Sequence, residues 1–279
     1  MKKIYLSFAI TLCVSCSHSF QLSIPAKFKE QANMVKVKGA RGNHISFGTY
    51  KTSKIKRGLH LIYPGYGKRF LLENFLLNEL GIQKEEDITK EKAKFHFSLS
   101  DDKNTAVVSA KESELTKYLT YKIVNDNGIF NGNGIFKSYN RLQEYRYIFS
   151  AVIETNIIAG NKKWEMIMSN VYERKKDTVN SFFTIIKPDE NGMATNGEDT
   201  IFIKGLAIKE TESPKGKMGR LPVKILSGYE LSTPDGVIAV IDIISKSIWF
   251  YTELDAPTRL IVSAISTAIF ARRVHDVGW

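Results

Sequence analysis

The chain is expected to be mainly β: an antiparallel, barrel-like sheet of about 12 strands curled around a buried C-terminal helix. Three observations point there. Strand-length segments with apolar residues at every second position recur along most of the chain. Asn-Gly and Asp-Gly pairs, which favour tight turns, separate many of them. Near the end, a segment apolar on all sides follows a helix-start signal. A β-sandwich or an open barrel packed on a terminal helix fits the same pattern and stands as the alternative.

Composition permits such a core. Hydrophobic residues make up 43% of the 279 and aromatics 11%, which is not a disordered composition. No repeat of fixed period is visible, which argues against a solenoid or propeller.

The first twenty residues read MKKIYLSFAITLCVSCSHSF. Lys2 and Lys3 give a positive start, and residues 4–14 form an apolar stretch of 11. That length suits the core of a signal peptide and falls well short of the ~20 residues of a membrane-spanning helix. The stretch ends in Cys13-Val14-Ser15-Cys16, which resembles a bacterial lipobox, with a small residue before the modified cysteine. Cys13 departs from the pattern, where Leu, Val or Ile is usual. The resemblance implies cleavage before Cys16, thioether lipidation of Cys16 and tethering of the mature amino terminus to a membrane. Ser17 after the cysteine fits sorting to the outer membrane of a Gram-negative cell. Expected boundaries are a signal peptide over 1–15, a tether over 16–30 and one β-rich domain over 31–279. Cys13 and Cys16 are the only cysteines, so the mature domain holds neither a disulfide framework nor a cysteine zinc site.

Alternation predicts strands over residues 34–38, 44–50, 94–99, 105–110, 118–124 and 134–139. In residues 145–154, Tyr145, Tyr147, Phe149, Ala151 and Ile153 share one face; in 164–172, Trp164, Met166 and Met168 do. Residues 182–187, 200–209, 223–232, 237–243 and 247–253 complete the set. Asn127-Gly128, Asn131-Gly132, Asn133-Gly134, Asn191-Gly192 and Asn196-Gly197 favour turns, and Thr233-Pro234-Asp235-Gly236 reads as a hairpin turn. Two segments break the pattern. Residues 69–80 are helix-like and stop at Gly81; with the charged stretch 84–94, expected as a loop or short helix, they suggest an insertion over 69–92. Asp255-Ala256-Pro257 is a helix start, and residues 259–273 (RLIVSAISTAIFARR) leave no polar face, so the helix must be enclosed.

The stretch from Gly228 to Phe270 resembles the end of a tubby-like domain, the superfamily that includes LURP-one-related proteins and phospholipid scramblases. The resemblance covers about 45 residues closely and the rest by strand number. It implies a roughly 12-stranded barrel threaded by its terminal helix, and in tubby proteins a basic surface that binds phosphoinositide head groups.

Catalytic signatures fail on inspection. His18, His44, His60, His96 and His275 have no metal-binding spacing, and no metal or cofactor is expected. Residues 64–68 (PGYGK) lack the spacing of a phosphate loop. Ser53-Lys54-Ile55-Lys56 matches S-x-x-K without its companion motifs. Glu154 and Glu165 lie on adjacent predicted strands, opposite the aromatic faces, close enough to approach across a hairpin, although outward surface carboxylates are the far commoner case.

The formal charge is +11; without Lys2 and Lys3, 38 basic residues face 29 acidic ones, a formal +9. Such a surface favours anionic partners. Two loop clusters are candidate binding residues: Lys51, Lys54, Lys56 and Arg57, then Lys215, Lys217 and Arg220. The expected function is therefore a non-enzymatic cell-envelope lipoprotein, binding or structural, that recognises anionic lipid or glycan rather than nucleic acid. An enzyme acting on envelope lipid or glycan, or a carrier of an apolar ligand, remains the alternative.

Overall fold

The computed structural model describes residues 22, 24, 26–68, 70–78, 81–123, 138–156, 162–176, 189–212 and 218–274. After α1 (Ala26–Glu30) come five short strands: β1 (Ala32–Lys36), β2 (Ser46–Phe47), β3 (Tyr50–Thr52), β4 (Lys56–Arg57) and β5 (Leu61–Tyr66). Helix α2 (Leu71–Asn78) precedes the long strands β6 (Ile82–Ser100), β7 (Thr105–Ile123), β8 (Ser138–Asn156) and β9 (Lys162–Glu173). Then follow β10 (Asn191–Thr195), β11 (Thr200–Glu212), β12 (Met218–Thr233), β13 (Gly236–Asp242), β14 (Ser247–Tyr251) and α3 (Ala256–Ala271).

All the strands belong to one antiparallel meander, in the order β1-β14-β13-β12-β11-β10-β9-β8-β7-β6-β3-β2. β4 and β5 pair with β6 beside β3. An isolated bridge between Lys38 and Ser46 links the chain just after β1 to β2, so the 12 strands of this path nearly close into a barrel. Its inner wall follows the alternation in sequence: Tyr145, Tyr147, Phe149, Ala151 and Ile153 of β8 are buried, as are Trp164, Met166 and Met168 of β9.

Helix α3 fills the interior. Every residue from 260 to 271 is buried, and its side chains share one core with those of the strands. The Asp255 carboxylate accepts the Thr258 N–H at 3.2 Å, and Pro257 sits in the first turn where no N–H partner is needed. The hydroxyls of Ser266 and Thr267 donate to the carbonyls of Val262 and Ser263 at 2.7 Å, which lets a helix with polar residues be enclosed. Each fully buried Leu, Ile or Phe contributes about 1.5–3 kcal/mol.

The helix end is also satisfied from the wall. Arg57 donates to the Ala271 carbonyl at 2.6 Å and to Gly42 at 3.1 Å, and the Arg41 N–H donates to Phe270 at 3.2 Å. These bonds answer carbonyls that a helix leaves without partners.

Several expectations need adjustment. Residues 84–94 are neither loop nor short helix but the first half of β6, in register with β7 throughout. The expected strand 105–110 and the described part of the expected strand 118–124, residues 118–123, belong to one strand, β7. The helix over 69–80 is observed as Leu71–Asn78. The Pro234-Asp235 turn joins Thr233 to Gly236 as a hairpin, and Gly236 takes φ +140°, a conformation that favours glycine. The expected strand 182–187 and the Asn-Gly pairs at 127–134 lie outside the described residues, as do Cys16 and the signal segment.

Candidate functional site

Of the two predicted basic clusters, only the first lies wholly within the described residues. Lys51, Lys54 and Lys56 are exposed along the β3–β4 edge. Arg57 is turned inward onto the helix end, with its guanidinium 5.6 Å from the Phe95 ring. Burial, and then the charge of Arg273, hold its pKa below the ordinary range. Lys215 and Lys217 lie outside the described residues, and Arg220 is placed only as a backbone position on β12, paired with Glu210 on β11. Ser53 bonds the backbone N–H of Ser98 at 3.0 Å and so helps seat its loop. Glu154 and Glu165 are both exposed, and Glu165 is paired with Lys163 at 2.9 Å.

What the fold does build is a groove of about 890 Å³ on the outer face of the sheet, running across β6 to β10. Strand register fixes its floor. Lys94 on β6 stands opposite Lys111 on β7, then Ser150 on β8, Ile167 on β9 and Met193 on β10. Phe202 on β11 continues the same row. A parallel row runs His96, Ser109, Val152, Glu165 and Thr195, which places His96 on the sheet surface. At about 4.8 Å per strand, the four steps from Lys94 to Met193 cover roughly 19 Å.

The first row is chemically graded. Lys94 and Lys111 are like charges directly opposite, an unfavourable cross-strand pair, and among the described residues neither has an ion-pair partner. At the other end Ile167, Met193 and Phe202 are about half exposed, at 50%, 45% and 48%. An anion between the lysines and an apolar chain along the far end would relieve both defects.

Comparisons with family models, with curated proteins and with solved structures find no match.

A second polar region lies inside, where α3 ends. Arg272 is buried, donating to Glu190 at 2.5 Å and to the Tyr229 hydroxyl at 2.6 Å. Tyr229 in turn donates to Glu190 at 2.5 Å. Buried Glu112 accepts the Arg273 and Val274 N–H groups at 3.0 Å and the Tyr147 hydroxyl at 3.2 Å. Glu114 accepts from Tyr145 and Thr116, each at 3.2 Å. Burial lifts the Glu114 pKa against these bonds, and the charges of Glu91 and Glu112 add to the rise. Burial also pushes Tyr145, Tyr147 and Tyr229 above the usual phenol range, so they act as neutral donors. Burial works against the Arg272 charge, but Glu190 overrides it and holds the pKa well above its ordinary value. Glu112 and Glu190 are occupied by donors from residues 272–274 that seat the helix end. Among the described residues no cluster of His, Cys, Asp and Glu suits a metal ion.

The groove is hard to read from the sequence because its lysines lie singly within strands rather than clustered in a loop. The available signal was a second apolar phase: Ile167 and Val171 sit on β9 in the positions that alternation assigns to water.

Proposed function

We propose that the protein is an exported lipoprotein, tethered through Cys16, whose β domain binds an anionic amphiphile in the outer groove. The carrying observation is the Lys94–Lys111 pair, without described counter-ions, in one row with exposed Ile167 and Met193. An apolar half favours lipid over glycan. A binding role fits better than hydrolysis, since Glu165, though it lines the groove, is engaged by Lys163, and Glu154 lies outside the groove with Lys163 as its cross-strand neighbour. The filled interior argues against carriage of an apolar ligand inside the barrel. The meander around a terminal apolar helix supports kinship with tubby-like proteins.

Two measurements test this. In calorimetric titration of the unlipidated Cys16→Ser chain, dodecyl phosphate below its micellar concentration should bind, and inorganic phosphate much more weakly. Adding Lys94→Glu and Lys111→Glu should weaken dodecyl phosphate at least tenfold; equal binding would reject the groove. Arg57 is unsuitable for such a test, because it holds the helix end. For the anchor, a bacterial host fed labelled palmitate should label the wild-type chain and leave Cys16→Ser unlabelled. An unlabelled wild-type chain cleaved at another residue would instead indicate an ordinary signal peptide.

A further inference from the structure

Helix α2 is amphipathic the wrong way round for a helix on a water-soluble domain. Its central polar residue, Asn74, faces the protein. Asn74 donates to the Lys84 carbonyl at 2.9 Å and accepts the Lys84 N–H at 2.7 Å, so it docks the helix against the start of β6. The Lys84 ammonium lies 4.1 Å from the Phe70 ring and pairs with Glu73. The apolar residues face outward instead. Leu71, Leu72, Phe75 and Leu76 are 77%, 83%, 74% and 70% exposed. Their spacing at i and i+4, twice over, puts them on one face of the helix.

Strand β5, which pairs with the same β6 that α2 docks on, carries exposed apolar residues of its own. Leu61, Ile62 and Tyr63 of β5 are exposed, and Leu59 just before them more so. The four residues clustered on one face of α2 mark an interaction surface rather than scattered surface residues. Its surroundings are positive. Leu61 stands opposite Lys92 and Tyr63 opposite Lys90, both exposed, and Lys68 is exposed just before the helix. Lys84, Lys90 and Lys92 share one face of β6 by strand alternation. The acidic residues nearby have partners: Glu73 pairs with Lys84, Glu86 with Lys117 at 2.8 Å and with the Lys68 N–H at 2.7 Å, Glu91 with His60 at 3.0 Å, and Asp87 accepts the Thr120 hydroxyl at 2.5 Å.

We propose that α2 and β5 form a membrane-docking wedge, with Leu71, Leu72, Phe75 and Leu76 entering the headgroup–acyl boundary of an anionic bilayer. The occupant follows from the pairing of an apolar ridge with a lysine border. A helix of 8 residues is about 12 Å long, enough to lie in the interface and far too short to cross it. Lys68, Lys90 and Lys92 border the ridge where anionic head groups would meet them. This contact is separate from the groove and from Cys16, and stands or falls without them.

The test is local to the helix, because residues 4–14 are apolar and would themselves attract lipid. In the full-length Cys16→Ser chain, Phe75→Trp keeps the face apolar and adds an emitter there. With phosphatidylglycerol vesicles its emission, after subtracting the parent chain, should shift to the blue and be quenched by lipids labelled near the head group. With phosphatidylcholine vesicles the shift should be far smaller. Adding Leu71→Ser, Leu72→Ser and Leu76→Ser should remove it. Lys68→Glu, Lys90→Glu and Lys92→Glu together should weaken the response at least tenfold in low salt. Trp emission that stays at its aqueous wavelength overturns the proposal. So does a concentration-dependent dimer in sedimentation, free of lipid and lost in the serine variant, which would make a second copy the occupant.

Discussion

Ile265→Asp should abolish folding. Ile265 is fully buried on α3, between turns whose residues are all buried too. An aspartate there has two options. It can stay charged in an apolar interior, or it can be held protonated against its normal pKa; each costs several kcal/mol. The lost isoleucine packing adds about 2–5 kcal/mol, the range seen for large deletions in cores. Together these rival the whole stability of a typical domain, about 5–15 kcal/mol. The expected result is insoluble protein, or soluble protein without a cooperative melting transition. Ile265→Val, which removes one methylene, should cost only about 0.5–1.5 kcal/mol and keep the transition. A soluble Ile265→Asp chain that melts cooperatively near the wild-type temperature would show that the helix is not enclosed.

That enclosure was legible in the sequence because it rests on a one-dimensional pattern. Residues 259–273 have no polar face, and Asp255 with Pro257 marks their start. The inner faces of β8 and β9 were legible for the same reason, since Tyr145 to Ile153 and Trp164 to Met168 alternate cleanly. The first half of β6 and the middle of β7 were not. Their inward positions carry Asp87, Thr89 and Glu91 on one strand and Glu112, Glu114 and Thr116 on the other. Carboxylates in the apolar phase erase the signal, although they stay in step with Ala106, Val108 and Ala110. What tolerates them is a non-local set of donors: the Arg273 and Val274 N–H groups and the tyrosines of β8. The groove was illegible for a related reason. Lys94, Lys111, Ile167 and Met193 are scattered over 100 positions, and only strand register puts them in one row. In the other direction, Arg57 looked like a surface cation from its Lys-rich neighbours, and its partner Ala271 lies 214 residues away.

Arg272→Leu should be the most damaging single change at the polar end of the helix. The guanidinium is enclosed by the rings of Tyr147, Phe149 and Tyr229, at 5.8, 5.6 and 5.2 Å from their centroids, and bonds Glu190, which is fully buried. Removing it takes the Arg272 cation away from a carboxylate that is enclosed in the interior and bonded by Tyr229. Breaking a buried pair from one side costs about 3–5 kcal/mol, which for a domain of this size lowers the melting temperature by roughly 10 °C. Arg272→Lys should recover little, because one ammonium cannot serve Glu190 and Tyr229 with the geometry of a planar fork. The double variant Arg272→Leu with Glu190→Leu should be less destabilised than the sum of its parts, since no charge is left unpaired. Salt separates this pair from the exposed Lys163–Glu165 pair: 1 M salt screens surface charges over about 3 Å and should leave the Arg272 effect intact. If the pair sets how far the helix enters the barrel, the double variant will keep much of its stability yet lose hydrogen-exchange protection around residues 269–274. Full protection there would mean that hydrophobic packing alone positions the helix.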